Sequence, residues 1–295
     1  MIENIIPART ASIGAFDVRR VLPFRERRMV GPFIFVDDFG PAEIVSGRSM
    51  DVLPHPHIGL ATVTYLFSGR MTHRDSIGSV QVIEPGDVNW MIAGRGIAHS
   101  ERTSDAGNEP GEELFGLQTW VALPAKDEEC EPDFSHTGRD ELPETEIEGT
   151  RFRLILGSGF GIESPVTTLG EPFYAECSQE AGSRFVIPTY IEERSVYPIR
   201  GRLQIDGTEI TPGTMAVFKN GSEALITAAE DTTYMIIGGT ALAEKRHIWW
   251  NFVASRRELI EEAKLRWHRN EFPAIPNEGG RIELPKGSFP TPPPL

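Results

Sequence analysis

Cysteine is nearly absent: Cys130 and Cys177 are the only two in 295 residues. Two are too few for a disulfide framework in a chain of this size, and neither sits in a Cys-x-x-Cys arrangement, so both read as reduced and incidental. Long apolar runs are missing as well. No stretch approaches the ~20 apolar residues that cross a bilayer, and MIENIIPARTASIGAFDVRR has no apolar h-region after a basic start. A soluble cytoplasmic protein with no membrane partner is expected. Positive charge is in deficit, with 29 Lys and Arg against 43 Asp and Glu, a net charge of −14. Such a surface repels a phosphate backbone and argues against direct nucleic-acid binding, while leaving a regulatory protein partner open. The one local exception, Arg19, Arg20, Arg25, Arg27 and Arg28, reads as a solvated loop.

What is present points to strands. The hydrophobic fraction of 39% at this length supports a sizeable core and a division into two domains. Glycine (29) and proline (23) are abundant and favour short strands joined by turns. From about residue 15 to 120, short apolar runs end at turn signals: FIFVDD before FGP, ATVTYLF before SGR, VQVI before EPGD, VNWMIA before GRG. Residues 126–150 are acidic and poor in apolar side chains, the composition of an interdomain connection. The strand pattern then resumes through residues 151–250. Tyr65 to Arg70 (YLFSGR) matches Tyr197 to Arg202 (YPIRGR), and each is followed by a Pro-Gly turn, Pro85-Gly86 and Pro212-Gly213. A duplicated β-unit is the implication. In residues 251–295, SRRELIEEAKLRWHRNEF carries one helix, with Ser255 and Glu258 spaced as a capping box and Leu259, Ala263 and Trp267 forming an apolar stripe that covers a barrel. The tail FPTPPPL is extended.

The chemistry lies in two short stretches. In LPHPHIG, His55 and His57 are two positions apart, and a strand presents such residues on one face. Pro56 favours the extended geometry this needs. In GRGIAHSER, His99 and Glu101 repeat the spacing. If the two strands face each other inside one barrel, three imidazoles and one carboxylate converge, a set suited to iron, copper, nickel or manganese. A structural zinc site would more often use thiolates. His73, on a strand between the two pairs, could stand behind the ligands, but reads rather as an exposed or hydrogen-bonded structural residue, and His136, His247 and His268 receive no metal role.

At these residues the chain resembles the pirins of the cupin superfamily. The matching segments are VGPFIFVDDFGP, HPHIGLATVTYLFSGRMTHRDSIG, PGDVNWMIAGRGIAHSE, EERSVYPIRGRLQIDG and KRHIWWNFVASRRELIEEAKLRW, which together span nearly the whole sequence. The resemblance implies an all-β bicupin: two antiparallel β-barrels, the N-terminal one (1–125) holding one divalent metal, usually iron, the C-terminal one (151–250) metal-free, with a C-terminal helix. The family's ligands fall on His55, His57, His99 and Glu101. Ala61 stands where pirins often keep a glutamate, which alters the pocket wall and not the ligand set. Carrying the tyrosine offset (197 minus 65) across places Ile187 and Thr189 opposite the two histidines, and the Pro-Gly offset (212 minus 85) places Ile226 and Ala228 opposite His99 and Glu101.

Two functions follow from the resemblance. The first is a dioxygenase related to quercetin 2,3-dioxygenase, taking dioxygen and a flavonol or other enolisable phenol, with Glu101 as the base. The second is a redox-sensing regulatory protein that binds a protein partner. A roomy apolar pocket over the metal favours the first, and a sealed metal favours the second.

Overall fold

The computed structural model describes residues 1–13, 16–45 and 50–289. Of the proline-rich tail only Phe289 is among them. Two seven-stranded sheets and two four-stranded sheets dominate the molecule, all antiparallel. One seven-stranded sheet runs in the order Asp133–Thr137, Val88–Ile92, Leu60–Ser68, Glu113–Ala122, Phe33–Glu43, Asp17–Leu22, Arg9–Ser12. The other runs Ile2–Pro7, Thr214–Phe218, Glu193–Arg200, Thr232–Gly239, Pro172–Gln179, Thr150–Leu156, Glu144–Ile147. The four-stranded sheets follow the same rule, Val52–His57, Ile97–Arg102, Met71–Asp75, Val80–Ile83 against Arg184–Ile187, Ala224–Ala228, Leu203–Ile205, Thr208–Ile210. The two copies correspond strand for strand, so the chain is a bicupin with one C-terminal helix.

Each copy surrenders its first strand to the other. Ile2–Pro7 pairs with Thr214–Phe218 of the second copy, and Asp133–Thr137 pairs with Val88–Ile92 of the first. The acidic segment 126–150 therefore carries structure on both sides, because Glu144–Ile147 also pairs with Thr150–Leu156. Backbone pairing asks little of side-chain hydrophobicity at a sheet edge, which is why its composition reads as a connection.

The repeated tyrosines join the two barrels. The Tyr197 hydroxyl donates to Asp38 of the first copy at 2.5 Å, and Arg19 donates to the same carboxylate at 2.9 Å. Reciprocally, the Tyr65 hydroxyl donates to Glu176 of the second copy, which Arg153 also holds at 3.1 Å. Arg19 pairs in register with Asp38 as Arg153 does with Glu176, so the two Tyr-carboxylate-Arg triads are equivalent. Arg20 grips Asp37 through two bonds of 2.8 and 2.7 Å, and Arg27 reaches Glu193 at 2.8 Å. Arg19, Arg20 and Arg27 are thus not in a solvated loop, whereas Arg25 and Arg28 are exposed outside the strands, as that reading has them. Asp37 and Asp38 are buried, and a buried carboxylate requires a paired cation.

The helix spans Arg257–His268 and buries Ile260, Ala263 and Trp267 against Ile58, Ala98 and Phe252. The capping box does not form: the N-cap is Arg256, and Ser255 instead gives its amide and hydroxyl to Glu128 at 2.7 and 2.5 Å. A buried Glu128 carboxylate attracts both donors away from the helix end. The hairpin His247–Trp249, Phe252–Ala254 seats the helix on the first barrel. Gly59 permits that approach: its φ is +67°, and a Cβ there would lie 2.0 Å from the Val253 carbonyl oxygen.

Candidate metal centre

Ile97–Arg102 lies between Val52–His57 and Met71–Asp75. Its register sets His99 opposite His55 on one side and Asp75 on the other, and Glu101 opposite His73. Opposed residues share a face of the sheet, and i and i+2 stay on it. His55, His57, His73, Asp75, His99 and Glu101 therefore face the barrel interior. Between them, Ser100 and Arg102 face outward to Glu278, at 3.0 and 3.2 Å.

The ligand nitrogens of His55, His57 and His99 lie within 4.8 Å of one another, all three rings buried. Nδ1 of His55 stands 2.9 Å from the Leu53 carbonyl and Nδ1 of His57 3.2 Å from the Asn251 carbonyl. A carbonyl only accepts, so both Nδ1 atoms carry the proton and both Nε2 atoms offer bare lone pairs. Nε2 of His57 is 3.0 Å from Nε2 of His99. Burial pushes His55 down to about 4, and pushes His57 and His99 well below the ordinary imidazole value. Neutral imidazoles in this arrangement are metal-binding donors. The site fits a divalent transition metal.

Glu101 is buried and lines the same cavity, yet stands outside the three-nitrogen group. Between His99 and Glu101 the partner residue slips from His55 to Val52, a bulge that sets the carboxylate apart. Its Oε1 has no hydrogen-bond partner among the described residues. Burial raises Glu101 to about 7. An orphaned carboxylate oxygen beside bare imidazole nitrogens is a second reason a cation fits here.

A cavity of about 420 Å³ opens onto the imidazoles. Its aromatic wall is ordered: Phe35 stacks on Trp120 with centroids 3.9 Å apart, and Trp120 meets His57 edge-on at 5.1 Å. The Arg20 guanidinium sits over Phe35 at 4.5 Å. Trp250, Asn251 and Ile282 line the cavity from the C-terminal segment.

His73 is hydrogen-bonded, as expected, but it is buried rather than exposed, and it stands behind His99. It is 4% exposed, with Nδ1 3.4 Å from Nδ1 of His99 and Nε2 3.0 Å from Asp75. His136 bonds Asn89, and His268 meets Phe289; neither joins the group, nor does His247. Asp75, Trp120 and Asn251 were missed. Asp75 had a signal, since His73 and Asp75 repeat the i, i+2 spacing of the ligand pairs. Trp120 and Asn251 had none, as their proximity depends on folding.

A family model described as Pirin matches residues 15–121, and one described as Pirin C-terminal cupin domain matches residues 174–273. A pirin-like protein of Caulobacter vibrioides is 45% identical over 288 residues, 97% of this chain and 96% of that protein. Human pirin is 30% identical over 256 residues, 84% of this chain and 85% of that protein. Among solved structures, a quercetin 2,3-dioxygenase from Acinetobacter baumannii superposes with a TM-score of 0.88 at 33% identity, covering 96% of this chain and 94% of that one. With two copies of one barrel, three converging histidines in the first and family matches in both halves, the chain belongs to the pirin family.

Proposed function

We propose that the protein is a metal-dependent dioxygenase acting on flavonols or related enolisable phenols, with iron held by His55, His57, His99 and Glu101. The observation that carries this reading is the 420 Å³ aromatic cavity opening directly onto the three imidazoles. Likeness to a quercetin 2,3-dioxygenase over nearly the full length supports it. When bound, the metal supplies Lewis acidity toward a substrate hydroxyl and electron exchange with dioxygen.

The chain's own residues do the rest. Phe35 and Trp120 present stacked rings in the cavity wall, a surface that orients a flat polyphenol. Glu101, a cavity-lining carboxylate whose Oε1 is unpartnered among the described residues, accepts the proton of the substrate hydroxyl and makes the enolate that dioxygen attacks. Carbonyl bonds from Leu53 and Asn251 hold the two imidazoles of the first pair in the metal-binding tautomer. The open cavity favours this reading over a redox sensor with a sealed metal.

Elemental analysis of the purified protein, combined with dioxygen uptake on adding quercetin, tests the proposal. About one iron per chain and flavonol-dependent uptake are expected, with Glu101→Gln losing on the order of 10²–10⁴ in rate. Iron-replete protein that leaves flavonols untouched would overturn it.

A further inference from the structure

Behind His99 lies a chain of polar groups in which each bond determines the next. Asp75 is fully buried, and its Oδ1 accepts the backbone amides of Ile77 and Ser79 at 3.0 and 2.9 Å. Its Oδ2 faces Nε2 of His73 at 3.0 Å. An ionised carboxylate only accepts, so Nε2 of His73 carries the proton and its Nδ1 is a bare acceptor. That Nδ1 lies 3.4 Å from Nδ1 of His99, which must then donate. The Nε2 of His99 is left bare and directed at Nε2 of His57, 3.0 Å away. Phe134, on the strand exchanged into this barrel, stacks on His73 with centroids 4.4 Å apart and fixes the plane of its ring.

We propose that Asp75 and His73 are positioning residues that set the tautomer of His99, so that a carboxylate two side chains from the metal decides whether the third imidazole can bind it. His55 and His57 take their tautomers from backbone carbonyls. Among the described residues His99 has no carbonyl partner, and it depends on this relay. The inference rests on the metal-binding reading of His55, His57 and His99.

Asp75→Asn is the informative substitution. Its amide oxygen keeps both turn amides, and its NH₂ then faces His73, which turns its own N–H toward His99. The third imidazole is driven to the tautomer with Nε2 protonated, which cannot bind metal. His73→Phe only removes the relay and keeps the stack on Phe134. Co(II) affinity of metal-stripped full-length protein, read by absorption titration, should fall about 10–100-fold in Asp75→Asn. It should fall less in His73→Phe, and the double variant should return to the His73→Phe level, because the misdirected donor has nothing left to act on. An Asp75→Asn loss that persists undiminished in the double variant would assign Asp75 to the turn alone and overturn the inference. Equal affinity in wild type and both single variants would also overturn it while sparing the metal site. Wild-type protein that takes up no Co(II) would instead overturn the metal site itself.

Discussion

The two barrels share a strand order and differ in what fills them. Where the first copy pairs His99 with His55 and Asp75, the second pairs Ile226 with Phe185 and Ile205. Where the first pairs Ile97 with His57, and Glu101 with His73, the second pairs Ala224 with Ile187, and Ala228 with Leu203. Every polar position of the metal centre has an apolar, buried counterpart. One copy spends its interior on a cavity and ligands, and the other on a packed core, while the exchanged strands and the tyrosine triads tie them together. The packed barrel thereby supports a barrel that carries several buried polar groups at a cost in stability.

Matched substitutions should divide the two roles most sharply. His57→Ala removes a ligand and should abolish stoichiometric metal, read by elemental analysis, with the fold retained. Ile187→Ala, at the equivalent position of the other barrel, should leave metal content unchanged and cost about 2–5 kcal/mol in urea unfolding. Metal loss in Ile187→Ala would mean that the second barrel shapes the site directly.

The histidine pairs were legible in the sequence because a strand has a side-chain period of two, so residues i and i+2 meet on one face whatever the rest of the chain does. The duplication was legible at Tyr65 and Tyr197, which the triads explain. Its extension to the site was legible in part: the offset between the Pro-Gly turns reaches Ile226 and Ala228, the register's own counterparts of His99 and Glu101, but the tyrosine offset fails at the first pair. Applied to His55 and His57, the tyrosine offset reached Ile187 and Thr189, whereas the register reaches Phe185 and Ile187. The connection between Arg184–Ile187 and Glu193–Arg200 is longer than that between Val52–His57 and Leu60–Ser68, and loop length shifts an offset without leaving a motif. The first barrel's borrowed outer strand and the carbonyl of Asn251 were hidden for a related reason: both are backbone partners, indifferent to side-chain identity.

Acid should discriminate between the barrels next. In metal-free protein burial depresses His55 from 6.5 to about 4 and holds His57 and His99 well below 6.5. The unfolded chain binds these protons and the folded chain does not, so the stability involved is present above pH 6.5 and lost as pH falls toward 4. For His55 this amounts to about 3 kcal/mol. Glu101, raised from 4.5 to about 7, acts in the opposite direction and offsets about the same amount. The other two histidines set the sign. Hydrogen exchange of the metal-free protein should speed up between pH 6.5 and 4.5 in Val52–His57 and Ile97–Arg102 once corrected for intrinsic rates, and stay unchanged in Arg184–Ile187 and Ala224–Ala228. Uniform acceleration in both barrels would place the acid-sensitive groups outside the metal centre.

The smallest effect concerns the feature the barrels share. The triads match in geometry but not in surroundings: the Asp38 side chain is 1% exposed and that of Glu176 19%. Removing the hydroxyl in Tyr197→Phe takes a donor from a carboxylate that water cannot reach, which should cost about 1–3 kcal/mol. In Tyr65→Phe, Glu176 keeps Arg153 and gains water, so about 1 kcal/mol or less is expected. Urea unfolding of the two single variants measures the difference. Equal costs would mean that the two junctions are energetically as well as geometrically equivalent, and that the asymmetry between the barrels begins only at their interiors.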